Sequence, residues 1–245
     1  MSHLFKKKLY GKPNINRSIA NAAGAGEKYS ESLLKNGLLD SFNHILIRKP
    51  QNCLIENIAY CLANMMSFEQ FKDSIRVHAC FESLVSATSG SHLTSKLPQD
   101  MAQVMAWVYS NALFAPYPER NMGFHLAIWL CEIFYHYSQN EEIASEACWG
   151  IFEFLKAEPD SSHRRAILYE KRTMRLVANC VDSKDPKLQQ VALACLELYA
   201  EKNNNYDQLN DFIGNVETVA VVESLFRAYT ELSPVLRANE TGFWP

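Results

Sequence analysis

Four times along this 245-residue chain the same apolar stripe returns, at a spacing that suits a helix and no other regular element. With Tyr60, Trp107, Trp149 and Ala194 as reference positions, the intervals are 47, 42 and 45 residues. Six residues before the references stand Leu54, Met101, Ile143 and Leu188, and two before them Ile58, Met105, Ala147 and Ala192. Two after stand Leu62, Tyr109, Ile151 and Leu196, and five after Met65, Ala112, Phe154 and Tyr199. All sixteen are apolar or aromatic, and their steps put them on one side of an α-helix. No stretch keeps the period-two alternation of a sheet, so the expected class is all-α.

Another apolar segment precedes each of these helices, at 38–47, 80–87, 124–137 and 174–181. Units of about 40–47 residues built from two or three helices are the pattern of armadillo and HEAT arrays, whereas a tetratricopeptide array needs about 34. One such unit cannot cover its own apolar face; stacked neighbours share a continuous core and leave a concave groove. The expectation is a right-handed superhelical armadillo/HEAT-like solenoid of about four repeats, closed by an irregular C-terminal cap at 206–236. Breaks are expected at Arg48-Lys49-Pro50, Ser89-Gly90-Ser91, 115–118, Glu158-Pro159-Asp160 and 182–186, where Pro and Gly interrupt the pattern. Residues 1–29 lack sustained periodicity and read as a mobile, disordered arm; the array then runs over 30–236, and 237–245 are a tail.

The charge is unevenly spread. Lys6, Lys7, Lys8, Lys12 and Arg17 give the first 17 residues +5, which leaves −8 on the rest of a chain whose net charge is −3. An acidic body argues against nucleic acid as a ligand and favours basic partners, the chain's own arm included. No apolar run approaches the ~18 residues of a membrane span, and no apolar stretch follows the N-terminal lysines, so neither a membrane anchor nor a signal peptide is read here. Seven scattered cysteines then read as reduced, buried small hydrophobes in a cytoplasmic or nuclear protein.

Motifs for chemistry are missing. There is no Cys-x-x-Cys or His-Glu-x-x-His frame for a metal, no phosphate loop and no Gly-x-Ser-x-Gly elbow. Gly24-Ala25-Gly26 lacks the third glycine and the preceding strand of a dinucleotide site, and Glu141-Glu142 stands where a helix start favours acids. A non-enzymatic protein without cofactors is expected.

Off the core side, each reference position and the residue four later share a helix face. In order they hold Tyr60 with Asn64, Trp107 with Asn111, Trp149 with Glu153, and Ala194 with Leu198. Large aromatics outside a core call for a reason. As groove residues, the Asn amides would fix the backbone of an extended peptide, and the indole faces would hold Lys or Arg stems and their cations. As packing residues, the same tryptophans would wedge between adjacent repeats. Trp129, on the preceding helix of its unit, falls outside this register and reads as structural.

These residues resemble the armadillo family and, within it, importin-alpha. The family's third helix reads Glu-Ala-x-Trp-Ala-x-x-Asn; Glu146-Ala147-Cys148-Trp149 matches its first half, with Glu153 in the asparagine's place. Trp107-Val108-Tyr109-Ser110-Asn111 matches the second half, and the run from Asn57 to Asn64 keeps the asparagine with Tyr60 for the tryptophan. Asp185-Pro186-Lys187-Leu188-Gln189 is similar to the loop before a third helix, and Asn36-Gly37 falls at the family's glycine between first and second helices. The resemblance implies a module that binds extended basic, nuclear-localisation-like segments through Trp107 and Asn111, with Tyr60, Asn64, Trp149, Glu153 and Glu146 beside them. It also implies a nuclear import adaptor whose N-terminal arm meets a transport receptor, while the +5/−8 charge split makes Lys6, Lys7, Lys8 and Lys12 a candidate competitor for the chain's own groove. The other expectation is a divergent armadillo scaffold that assembles proteins through its convex face or its ends.

Overall fold

The computed structural model describes residues 13–89, 97–114, 117, 120–158, 161–169 and 173–203. Lys6, Lys7, Lys8 and Lys12, the expected cap and the tail lie outside the described residues. Twelve α-helices and one 3-10 turn make up the regular structure of the described residues, with no strand among them. They are α1 Pro13–Gly24, α2 Glu27–Lys35, α3 Leu38–Leu46, α4 Asn52–Met66, α5 Glu69–Arg76 and α6 Ala79–Thr88, followed by α7 Gln99–Leu113, α8 Arg120–Tyr137 and α9 Glu141–Ala157. After these come α10 Ser161–Tyr169, α11 Thr173–Asn179, the 3-10 turn Cys180–Asp182 and α12 Pro186–Asn203. Arg48-Lys49-Pro50 lies between α3 and α4, Ser89 follows α6, Glu158 follows α9, and the 182–186 break runs from the end of the 3-10 turn to the start of α12. Gly90, Ser91, Ala115, Pro116, Pro118, Pro159 and Asp160 lie outside the described residues. Pro186 opens α12, where a missing N–H costs nothing and the fixed φ suits the first turn.

The long helices α4, α7, α9 and α12 carry the four stripes and pack side by side in that order. Of the sixteen stripe residues, Leu54 is half-buried against the core and the Tyr199 side chain lies outside the described set; the others are buried. A second layer covers the other side. In it α6 packs on α3, α8 lies against α7 and α9, and α11 lies against α8 and α12. The repeats are therefore α2–α4, α5–α7, α8–α9 and α10–α12. In the third, one 18-residue helix takes the place of the first two. Burying stripes of this kind stabilises at roughly 25 cal/mol per Å² of apolar surface, the main force joining repeats that cannot stand alone.

Local chemistry sets the helix ends. Gly37 takes φ 75°, a left-handed turn that only glycine adopts without strain, and so reverses the chain between α2 and α3. Asn140 Oδ1 accepts from the Ile143 N–H at 3.1 Å to start α9, and His78 Nδ1 accepts from the Cys80 N–H at 3.0 Å to start α6. Asp185 Oδ1 accepts from the Lys187 N–H at 3.0 Å at the head of α12.

Two elements depart from the sequence reading. Residues 13–24, expected within a mobile arm, form α1, which packs on α4 as a fifth member of the ladder. Among its described side chains Ala20 and Ala23 are buried and Ile19 packs partly against the core, and the two alanines let the backbones approach closely. Ser30 Oγ donates to the Ala23 carbonyl at 2.9 Å and ties α2 to it. The other is α5, whose sequence is polar yet whose Lys72 and Arg76 are buried at the end of α7. Arg76 Nη1 donates to the Ala112 carbonyl at 3.0 Å, in the last turn of α7, where the helix dipole favours a cation. Arg76 also pairs with Asp73 and lies over the Tyr117 ring. Lys72 bonds Glu69 at 2.8 Å and sits 4.2 Å from the centre of the Phe114 ring. Paired in this way, the two charges avoid the penalty of an isolated buried cation.

Candidate functional site

The expected face exists as a row along the α4–α7–α9 layer, on helices set side by side. Tyr60 is exposed, at 42% of its full accessibility, while Trp107 and Trp149 are half-buried with one side against the core. Tyr60 and Trp107 meet edge to face, with ring centroids 5.3 Å apart and planes at 77°. Such a pair is worth about 0.5–1.5 kcal/mol beyond the area it buries. It fills part of the space that the sequence reading assigned to a ligand stem between these two positions. Trp149 lies 5.8 Å from Phe152, and Lys156 reaches over the Phe152 ring at 5.7 Å.

The asparagines make rungs. Asn111 Nδ2 donates to the Ala63 carbonyl of α4 at 3.1 Å, and Asn64 Nδ2 donates to the Ala20 carbonyl of α1 at 3.0 Å. Each amide therefore ties its helix to the preceding member of the ladder and fixes its own orientation. Its Oδ1 is left as the stronger unspent group, an acceptor for an N–H or a cation. The close approach of α1 needs Gly24, since a Cβ there would lie 3.0 Å from Asn64 Nδ2.

Carboxylates replace amides on α9. Glu153 occupies the asparagine position but is 5% exposed, so it does not stand open to solvent as an exposed groove residue would. Glu146, one turn before Trp149, is partly buried. Desolvation lifts its carboxyl above the ordinary value, opposed by the Ser110 hydroxyl and by the charge of Lys187. Gln103 Nε2, one turn before Trp107, donates to Glu142 across the α7–α9 gap. The sequence reading missed Gln103, Glu142 and Phe152, although the one-turn spacing that relates Asn111 to Trp107 also relates Gln103 to it.

Trp129 sits in α8, 6.4 Å from the Tyr109 ring and 5.9 Å from His125, on the inner side of the second layer, as its sequence position implied. Burial raises the Tyr109 hydroxyl's pKa, and this hydroxyl shares a 2.9 Å hydrogen bond with Thr88. Among the described residues no group of three or more His, Cys, Asp or Glu is placed to hold a metal ion, and no helix is long and apolar enough to cross a membrane.

No family model and no curated protein matches the chain in sequence. Solved structures match it in shape. A designed armadillo repeat protein superposes with a TM-score of 0.64 at 13% identity, covering 91% of this chain and 97% of its own. A second, solved in complex with the peptide (KR)4, gives 0.63 at 15% identity, with 90% and 97% covered. The chain thus has the fold of these armadillo repeat proteins, an all-α solenoid.

Proposed function

We propose that this chain is a non-enzymatic binding module that takes an extended, basic peptide segment along the α4–α7–α9 face. The observation that carries the reading is the composition of that face: aromatic rings at Tyr60, Trp107 and Trp149, flanked by groups that mostly accept hydrogen bonds. Asn64 and Asn111 spend a donor on neighbouring helices. Glu142 and Glu146, when ionised, are acceptors alone. A ligand that suits such a row is rich in donors and positive charge, as Lys and Arg segments are. The structural neighbour solved with (KR)4 supports the same ligand chemistry on this architecture.

Under this reading Trp107 and Asn111 form the centre of the site, with Tyr60, Asn64, Trp149, Glu153 and Glu146 around it. Lys6, Lys7, Lys8 and Lys12 form a basic segment that competes for the groove in cis or meets a transport receptor, and the cellular role is that of an import-type adaptor working between cytoplasm and nucleus. Calorimetric titration of an alternating Lys/Arg peptide, with an acidic peptide as control, tests the binding claim. The expected result is micromolar or tighter affinity that weakens with salt, and equal affinity for the two peptides would overturn it. Removing residues 1–12 tests the arm while leaving α1 in place, and affinity should rise if the arm competes.

The second reading, a scaffold that assembles folded partners through its convex face or ends, has its own support. Both asparagine amides already bond within the ladder, and Tyr60 packs on Trp107, as purely structural residues would.

A further inference from the structure

Four thiols converge where the third and fourth repeats join. Cys131 comes from α8, Cys148 from α9, Cys180 from the 3-10 turn and Cys195 from α12, and all four are buried with no disulfide among them. Cys195 Sγ donates to the Cys148 carbonyl at 3.4 Å, so its proton is engaged on the α9 backbone. The Cys148 thiol instead hydrogen-bonds Cys180. Cys180 retains 7% exposure and sits on the 3-10 turn Cys180–Asp182 behind the seven-residue α11, while Cys131, Cys148 and Cys195 have none.

We propose that Cys148 and Cys180 form a peroxide-sensitive thiol pair that closes to a disulfide between α9 and the turn leading into α12. Donation from the Cys148 S–H stabilises a thiolate on Cys180 and lowers its pKa, while burial pushes the Cys148 pKa well up. With its 7% exposure on the turn Cys180 is the attacker, and the fully buried Cys148 is the resolver. A second pair, Cys61 of α4 and Cys80 of α6, shows the contrast: burial raises both thiols, Cys80 to about 12, and neither has a thiolate partner.

The chemistry balances with hydrogen peroxide as oxidant. The Cys180 thiolate attacks one peroxide oxygen, the O–O bond breaks to give the sulfenic acid, and the departing hydroxide takes up the proton that the Cys180 thiol released on ionising, leaving as water. Cys148 sulfur then attacks Cys180 sulfur, the S–O bond breaks, and the Cys148 proton leaves with that hydroxide as a second water. Two thiols are oxidised and one peroxide is reduced. A cellular thiol reductant reverses the bond.

The test is native exposure of the purified full chain to dilute hydrogen peroxide, followed by alkylation of free thiols and peptide mapping. The expected product is a Cys148–Cys180 crosslinked peptide that disappears on reduction. Cys180→Ser should abolish it, and Cys53→Ser, at an exposed position remote from the cluster, should leave its yield unchanged. Because Cys148 is fully buried, its serine variant is not relied on; circular dichroism of Cys180→Ser confirms that the turn variant folds. A crosslink that survives Cys180→Ser, a crosslink to Cys195, or oxidation confined to Cys53 would overturn the proposal.

Discussion

The α4–α7 and α7–α9 junctions join equivalent helices by different means. At α4–α7 an asparagine rung and an edge-to-face aromatic pair bridge the gap, and Tyr60 stays exposed above it. At α7–α9 the helices close on Gly150, where a Cβ would lie 2.4 Å from Leu130 Cδ2 and 2.9 Å from the Ser110 backbone. The outer edge of that gap is bridged by Gln103 and Glu142. A repeat array thus keeps its register while the contacts that hold it vary. Where polar rungs do the joining, side chains remain at the surface to meet a ligand; where a glycine does, the junction is a packing device.

The sharpest way to break this comparison is at the two glycines. Gly150→Val drives branched carbon into a backbone and should cost about 3 kcal/mol or more, read from urea denaturation, because overpacking a rigid contact cannot relax. Gly24→Ala meets the Asn64 side chain, which swings away only by giving up its bond to the Ala20 carbonyl, and should cost about 1 kcal/mol, the worth of that rung. Equal losses at the two positions would erase the distinction between the junctions.

Next in size is Trp107→Ala, expected to weaken a Lys/Arg peptide by roughly 30-fold, the scale of an interface anchor at about 2 kcal/mol. Its effect on helicity by circular dichroism should be slight, since one side of the ring is already open. Asn111→Ala removes the donor to the Ala63 carbonyl and should lower stability by about 1 kcal/mol, with a parallel loss at Asn64→Ala.

The smallest effect carries the most information. Burial raises the Glu146 pKa, so the folded chain holds that proton to a higher pH than the unfolded chain. The resulting stability is present at acidic pH and is lost as pH rises through the raised value, which leaves a desolvated carboxylate at neutral pH. Glu146→Gln should therefore raise Tm slightly at pH 7, with the gain fading toward pH 4.5, the ordinary value for this group, and below it. The same variant should bind a basic peptide several-fold more weakly. A variant that is more stable yet binds less marks a residue kept for a ligand, whereas loss of both would mark a structural one.

Much of the architecture was legible because it rests on periodicity. The apolar stripes, the break at Pro50, the helix start at Pro186 and the turn at Gly37 are properties of local sequence, and among the described residues the structure places them as expected. What escaped was whatever depends on neighbours. Among its described side chains, helix α1 is held by Ala20, Ala23, Ile19 and the bond from Asn64, and small alanines do not print a stripe. Helix α5 is polar in sequence, and its Lys72 and Arg76 are buried only because α7 ends beside them. The candidate face was legible as a row of residue types but not as a set of bonds: nothing in Asn111 itself says that its amide reaches Ala63, and Glu153 reads as an open groove residue until its burial is seen. The cysteines were read one by one as small hydrophobes. Cys53 proved exposed, and four of the others gather from separate elements into one place.

The central claim is that the exposed row on the third helices, and not the packing beneath it, is what a basic partner meets. Fluorescence anisotropy of a labelled Lys/Arg peptide tests this most directly, run against the intact chain and Trp107→Ala at low and physiological salt. The account predicts salt-weakened binding to the intact chain, with most of it lost in a variant that keeps its helicity. Binding of equal strength to both proteins, or none to the intact chain even at low salt, would contradict it.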